Sequence, residues 1–416
     1  MFVFFLISLL IKTASPAFLA PIAQDLATQR YILTVYLNTP PHPTNLLLDL
    51  GASTTLVNCR PHGHQKTSIQ CGPSPCGPHG APPCLGDTAT SLLGDSLTRK
   101  PSLTGRPCNG SLSMPVTDGF NPGQLGSVPC FMFSCSKRSS LKGLVKGADG
   151  IAGMGRSNLS IPAQVSSLSS EKLVFALCMS GSPSAPGVAF FGSSGPYYFH
   201  PEIDLSEHLN YTPLLQNPVI TKSHPNPSDA YFIGLTAVKV NGRAIDFNRT
   251  LLRIDEKGRG GTKLSTVTRH TVLHRSIFQA LTESFVKESA ALNLTAAEPV
   301  RPFRVCYKAD DITSSRVGPS VPTIDFVLQD DDVFWRVFGS NSMVRIYRDG
   351  VDVWCLGFLD GGTHPRTSVV IGGHQMEDNL LRFDLESEML GFSSSVLVHG
   401  MMCANFNFTT NGNLRK

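Results

Sequence analysis

The stretch "LLLDLGASTTLVNC", residues 46–59, decides how the chain is to be read. An apolar run ends in Asp49, Gly51 follows two places on, and a second apolar run begins at Leu56. About a hundred residues later comes "GADGIAGMGRSNLSIPAQV" (147–165), apolar again and broken by glycines. The second half repeats the plan. "TKLSTVTRHTVL" (262–273) is followed at a similar separation by "SVVIGGHQMEDNLLRFDLESEMLGF" (368–392). Each half pairs a strand running into a polar loop with a later strand ending in Gly. A strand threaded between two others needs such glycines, because only Gly permits that close a backbone approach.

The 37 Gly and 30 Pro punctuate short β-rich runs such as "YILTVYL" (31–37) and "VPTIDFVL" (321–328), which argues for an all-β chain. A length of 416 residues suits two domains with cores of their own, and the lobe boundary is expected near 208, before "NYTPLLQNP". Helical content is expected to be sparse, a few short helices with two best candidates. One surrounds "LSIPAQVSSL" (159–168). The other spans 268–292, with Val272, Ile277, Leu281 and Phe285 at helical spacing. His270 and His274 then fall four apart on that second helix, where they read as exposed polar residues.

Charged residues make up 16%, and 35 Lys+Arg against 31 Asp+Glu leaves +4, too small and too evenly spread a surplus for nucleic-acid binding. Residues 2–11 are a continuous apolar run, too short to span a bilayer but suited to a signal peptide, and the small residues Ala14 to Ala20 place its end near residue 20. No later segment is long and apolar enough to cross a membrane. The expected division is therefore 1–20 leader, 21–208 first lobe and 209–416 second lobe. Secretion makes disulfides the better reading of Cys59, Cys71, Cys76 and Cys84. They are interleaved with His62, His64 and His79, but without paired metal-ligand spacing. The eleven cysteines are odd in number, leaving one without an intrachain partner. Six sequons, at Asn109, Asn158, Asn210, Asn248, Asn293 and Asn407, fit the same route. No metal site, cofactor fingerprint or serine-hydrolase elbow is present.

The Asp-x-Gly loop, "DGIAGMG" and "FDLESEMLGF" together resemble the bilobal pepsin-like aspartic protease fold. "GIAGMGRSNLSIPAQ", "KLSTVT", "IGGHQMEDNLLRFD" and "CANFNFT" resemble one plant branch of it: the xylanase-inhibitor-like and extracellular dermal glycoprotein-like proteins, with the basic 7S seed globulins. The likeness covers residues 25–412. Aspartic proteolysis needs two carboxylates sharing one proton. Asp49 supplies the first. The second half has Ser265 at the matching place and Val267 where Gly is expected, in a conformation that Val should resist. Leu50 and Ala52 replace two hydroxyl residues, and no Tyr lies between 85 and 125, where a flap Tyr would sit. A residual protease is therefore not expected, and Asp49 and Ser265 read as remnants of a dyad.

The resemblance implies a secreted, extracellular inhibitor of microbial glycoside hydrolases in plant defence, acting on a xylanase or a xyloglucan-specific endoglucanase. His399 matches the His that xylanase inhibitors insert into the enzyme, where the dermal glycoprotein group typically has Arg. Arg316 resembles an Arg used by the glucanase inhibitors. Cys178–Cys403 and Cys306–Cys355 pairings are implied likewise. The alternative is a basic 7S globulin-like storage protein that binds carbohydrate or peptide. Taken without the resemblance, His399 reads as an ordinary surface residue.

Overall fold

The computed structural model describes residues 17–59, 93–94, 101–103, 106–136, 141, 144–200, 203–218, 227–329 and 332–409. The histidine and cysteine cluster of residues 62–84 lies outside them, as does most of the 85–125 stretch up to residue 105.

Both halves are built on the same threaded arrangement. In the first, His42–Asp49 runs parallel to Gly150–Gly153, which is antiparallel to Leu56–Asn58, itself parallel to Pro122–Ser136. In the second, Thr262–Leu264 runs parallel to Val369–Ile371, which is antiparallel to Thr271–Leu273, itself parallel to Phe358–Asp360. A late strand thus lies between two earlier ones, and its glycines are what let it fit. A Cβ on Gly150 would sit 1.9 Å from the Leu56 carbonyl oxygen, and one on Gly153 2.3 Å from the Thr54 carbonyl carbon. One on Gly372 would sit 2.5 Å from the carbonyl carbon of His270.

The two halves join through six consecutive antiparallel strands. Ala17–Gln24, Gly187–Phe191 and Val174–Cys178 come from the first half; Leu380–Asp384, Met389–Phe392 and Asn210–Leu215 come from the second. The seam is apolar, with Phe175 and Phe383 stacked at 4.5 Å and 2°. Each such ring removed from water is worth roughly 1.5–3 kcal/mol. Asn210–Leu215 opens the second triplet. The first strand begins at Ala17, so Ala17–Ala20, expected in the leader, are instead buried and paired with Ala189–Phe191 and with Val116 and Thr117.

The helix over Ile161–Ser169 forms where expected. Ser160 caps it, accepting from the Ala163 amide, and Pro162 sits in its first turn. The second differs: it begins at Arg275 and runs to Ala291. Thr271–Leu273 is the strand of the threaded arrangement, and His274 is the N-cap, its Nδ1 accepting from the Ser276 amide at 3.2 Å. A β-branched Val272 satisfies helical spacing and strand propensity alike, and the sheet wins.

Candidate functional site

The registers make the two polar loops equivalent. Asp49 pairs with Gly153, and Ser265, whose amide donates to the Ile371 carbonyl at 3.0 Å, comes one place after the Leu264–Ile371 pair. Ser265 therefore stands opposite Gly372 as Asp49 stands opposite Gly153. Asp49 is 3% exposed and its Oδ1 accepts the Gly51 amide at 2.8 Å. Ser265 Oγ plays the matching part, accepting the Thr268 amide at 3.3 Å and donating to Thr268 Oγ1 at 3.0 Å. Across the gap, the Thr266 hydroxyl donates to the Leu48 carbonyl at 2.6 Å and accepts the Leu50 amide at 3.3 Å. Leu50 has no hydroxyl to return the bond, so the lock is one-sided.

The expected strain at Val267 is absent. Neither Gly51 nor Val267 has a positive φ, so this turn never needs the conformation that only Gly favours. Val267 instead packs with Leu47, Val145 and Ala148, while Ala52 packs with Leu56, Leu141 and Ile151, and Leu50 enters the main core. Three apolar side chains thus occupy the neighbourhood of the dyad positions. The two matching positions hold one carboxylate and one hydroxyl, and a serine hydroxyl does not ionise between acid and neutral pH. Sequence reasoning missed Asp229, whose Oδ2 accepts a short hydrogen bond from Ser53 Oγ. Nothing in the spacing of these two residues announces that contact.

A second arrangement lies at the surface. His399 ends the 3-10 turn Val396–His399, and Gly400, at φ 74, closes it. Asp378 pins both ends of this loop: its carbonyl accepts the Val396 amide and its Oδ1 the Cys403 amide, each at 2.8 Å. Cys403 is bonded to Cys178, and Cys306 to Cys355. Arg316 is exposed at the tip of the hairpin Ser314–Ser315/Gly318–Pro319, with Nη1 3.7 Å from where a Cβ on Gly400 would stand. The two basic residues singled out in the sequence are therefore neighbours. A third, missed by sequence, joins them: the His208 ring stacks on His399 at 4.5 Å and 29°. Burial, and then the charge of His208, lower the His399 pKa. Val398 and Met402, 44% and 43% exposed, flank it with apolar surface.

Residues 31–193 match the Xylanase inhibitor N-terminal family and residues 230–394 the Xylanase inhibitor C-terminal family. The chain belongs to the xylanase-inhibitor family. "Probable aspartic proteinase GIP1" of Glycine max is 43% identical over 394 residues, covering 93% of this chain and 91% of that protein. A crystal structure of "edgp" superposes with a TM-score of 0.86 at 42% identity, covering 95% of this chain and 99% of the other. That of basic 7S globulin from soybean gives 0.74 at 27%, covering 95% and 99%. The pepsin-like, all-β architecture expected from the sequence is that of these relatives.

Within this family frame a buried ionic cluster joins the halves behind the Ser265 loop. Glu377 Oε1 accepts from Gln24 Nε2 at 2.8 Å, Tyr31 OH at 2.7 Å and Arg269 Nη1, and Oε2 contacts His374 Nδ1 at 2.8 Å. Burial raises the Glu377 pKa, but the hydrogen bonds and charges of His374 and Arg269 outweigh it and hold the carboxyl at about 2. His270, expected on an exposed helix face, is half-buried in this cluster, edge-on to Phe303 at 5.0 Å and to His374 at 5.7 Å. Burial and the charges of His374 and Arg269 lower its pKa to about 3. No group of three metal-ligating side chains occurs among the described residues.

Of the sequon asparagines, Asn158, Asn210, Asn248, Asn293 and Asn407 are exposed, whereas Asn109 is half-buried in a paired strand with Oδ1 enclosed and unpartnered.

Proposed function

We propose that this chain is a catalytically silent, secreted inhibitor of a microbial glycoside hydrolase, a xylanase or a xyloglucan endoglucanase, acting in plant defence outside the cell. The observation that carries this reading is the meeting of Arg316 and His399 at one exposed apex. Glycoside hydrolase clefts hold a pair of carboxylates. A basic projection suits such a cleft in charge, and the exposed Val398 and Met402 beside it add apolar contact area. Loss of proteolysis follows from Ser265 at the second dyad position, where no carboxylate is available to share a proton with Asp49.

The secretory part of the reading rests on the apolar leader, the disulfides and the exposed sequons. Because Ala17–Ala20 belong to a sheet strand, the leader in this reading ends at or before residue 16, and Asn109 is left unglycosylated. The test is an inhibition titration near pH 5 against one xylanase and one xyloglucan endoglucanase, with His399→Ala and Arg316→Ala alongside. Stoichiometric inhibition lost in either variant supports the reading. The likeness to basic 7S globulin favours a second one, a non-enzymatic storage or binding protein. Absence of inhibition of both enzymes at micromolar protein would move the balance to it.

A further inference from the structure

His208 lies at the junction of the halves and His399 close to the C-terminal disulfide, yet their rings stack at 4.5 Å with 29° between planes on an exposed surface. We propose that His208 and His399 form one pH-graded docking unit, in which the stacked His208 ring modulates the charge that His399 presents, so that the apex engages a carboxylate-lined cleft in acid and releases it toward neutrality. This rests on the inhibitor reading above.

Two imidazolium charges at that separation oppose each other, whereas one charged ring over one neutral ring is attractive. Burial, and then a charge on His208, therefore oppose a charge on His399. The surrounding charges do not override this. Arg316, reaching Gly400 from the neighbouring hairpin, adds a further positive charge. On the His208 side, Asp204 is committed to the amides of Tyr197 and Ser206 and to the Ser206 hydroxyl. Glu207 is the chain neighbour of His208, and beneath the loop Asp378 Oδ1 is committed to the Cys403 amide. Among the described residues no carboxylate forms an ion pair with either ring. A target's carboxylates would supply the missing partner and draw a proton onto the pair.

The experiment combines two readouts on the whole secreted protein, wild type and His208→Phe, which keeps a stacked ring but removes its charge. NMR titration of the imidazoles should give two coupled steps in the wild type. In the variant His399 should titrate in one step, with its midpoint raised because the opposing His208 charge is gone. Inhibition of whichever hydrolase responds, measured from pH 4 to 7.5, should shift its midpoint upward by the same amount. Independent titration of the two rings in the wild type overturns the unit, whatever the inhibition data say. An unchanged inhibition profile in His208→Phe overturns the docking role while leaving the inhibitor reading intact. If the wild type inhibits neither enzyme at any pH, the inhibitor reading and the docking role fall together, and the titration alone then decides whether the pair shares its proton.

Discussion

The loops that meet at the Asp49 and Ser265 positions and the apex that carries His399 have been shaped in opposite directions. In the loops the polar groups point at one another and the apolar ones fill space: Thr266 bonds Leu48 and Leu50, while Leu50, Ala52 and Val267 are buried. At the apex, basic groups from three distant segments stand outward together, and the loop that carries His399 is fixed by Asp378 and by the Cys178–Cys403 bridge. The difference teaches that a frame can keep its architecture after its centre becomes packing. A rigid scaffold then offers its surface loops for recognition.

If that contrast is right, interior changes act on stability and apex changes on binding. The largest stability loss is expected from Glu377→Gln, which leaves Arg269 without its buried counter-charge. Breaking a buried pair in this way costs about 3–5 kcal/mol, to be read from denaturant unfolding. Val267→Gly should cost about 2–4 kcal/mol, since it empties a packed site and loosens the backbone. Stabilisation by that change would restore the strained-loop reading.

A smaller and pH-dependent effect is expected at Asp378. Burial raises its pKa to about 6, against the hydrogen bonds from Cys403 and Gly181 that favour the charged form. A carboxyl whose folded pKa exceeds its unfolded one favours folding when protonated. Its contribution is present in full below the unfolded value near 4 and is lost as pH rises through about 6. Across that window the change is on the order of 1–3 kcal/mol, and Asp378→Asn should flatten it. His270 runs the other way, its contribution present above its unfolded value and lost as pH falls toward about 3, and it persists in the variant as a control. Smallest of all, Arg316→Ala should leave stability within about 0.5 kcal/mol of wild type, as expected for an exposed side chain.

The frame was legible because threading leaves a mark: Gly150, Gly153 and Gly372 stand where a side chain would strike backbone. Ser265 was legible for the same reason, through the repeat. What escaped had no local signature. Val267 looked strained because Gly occupies that place in the first half, yet Gly51 does not use its freedom there. Thr271–Leu273 carries both periodicities, and only sheet pairing decides between them. His208 and Asp229 gain their roles through contacts with residues remote in the chain, which no spacing rule encodes.

The most direct test of the central claim sets the two regions against each other. Asp49→Asn and the double variant Arg316→Ala/His399→Ala would be titrated beside wild type against the responsive hydrolase at pH 5, with a peptide-cleavage assay run in parallel. The account predicts inhibition retained in Asp49→Asn, weakened at least about tenfold in the apex variant, and no cleavage by any of the three. Cleavage abolished by Asp49→Asn, or inhibition that survives loss of both apex residues, would contradict it.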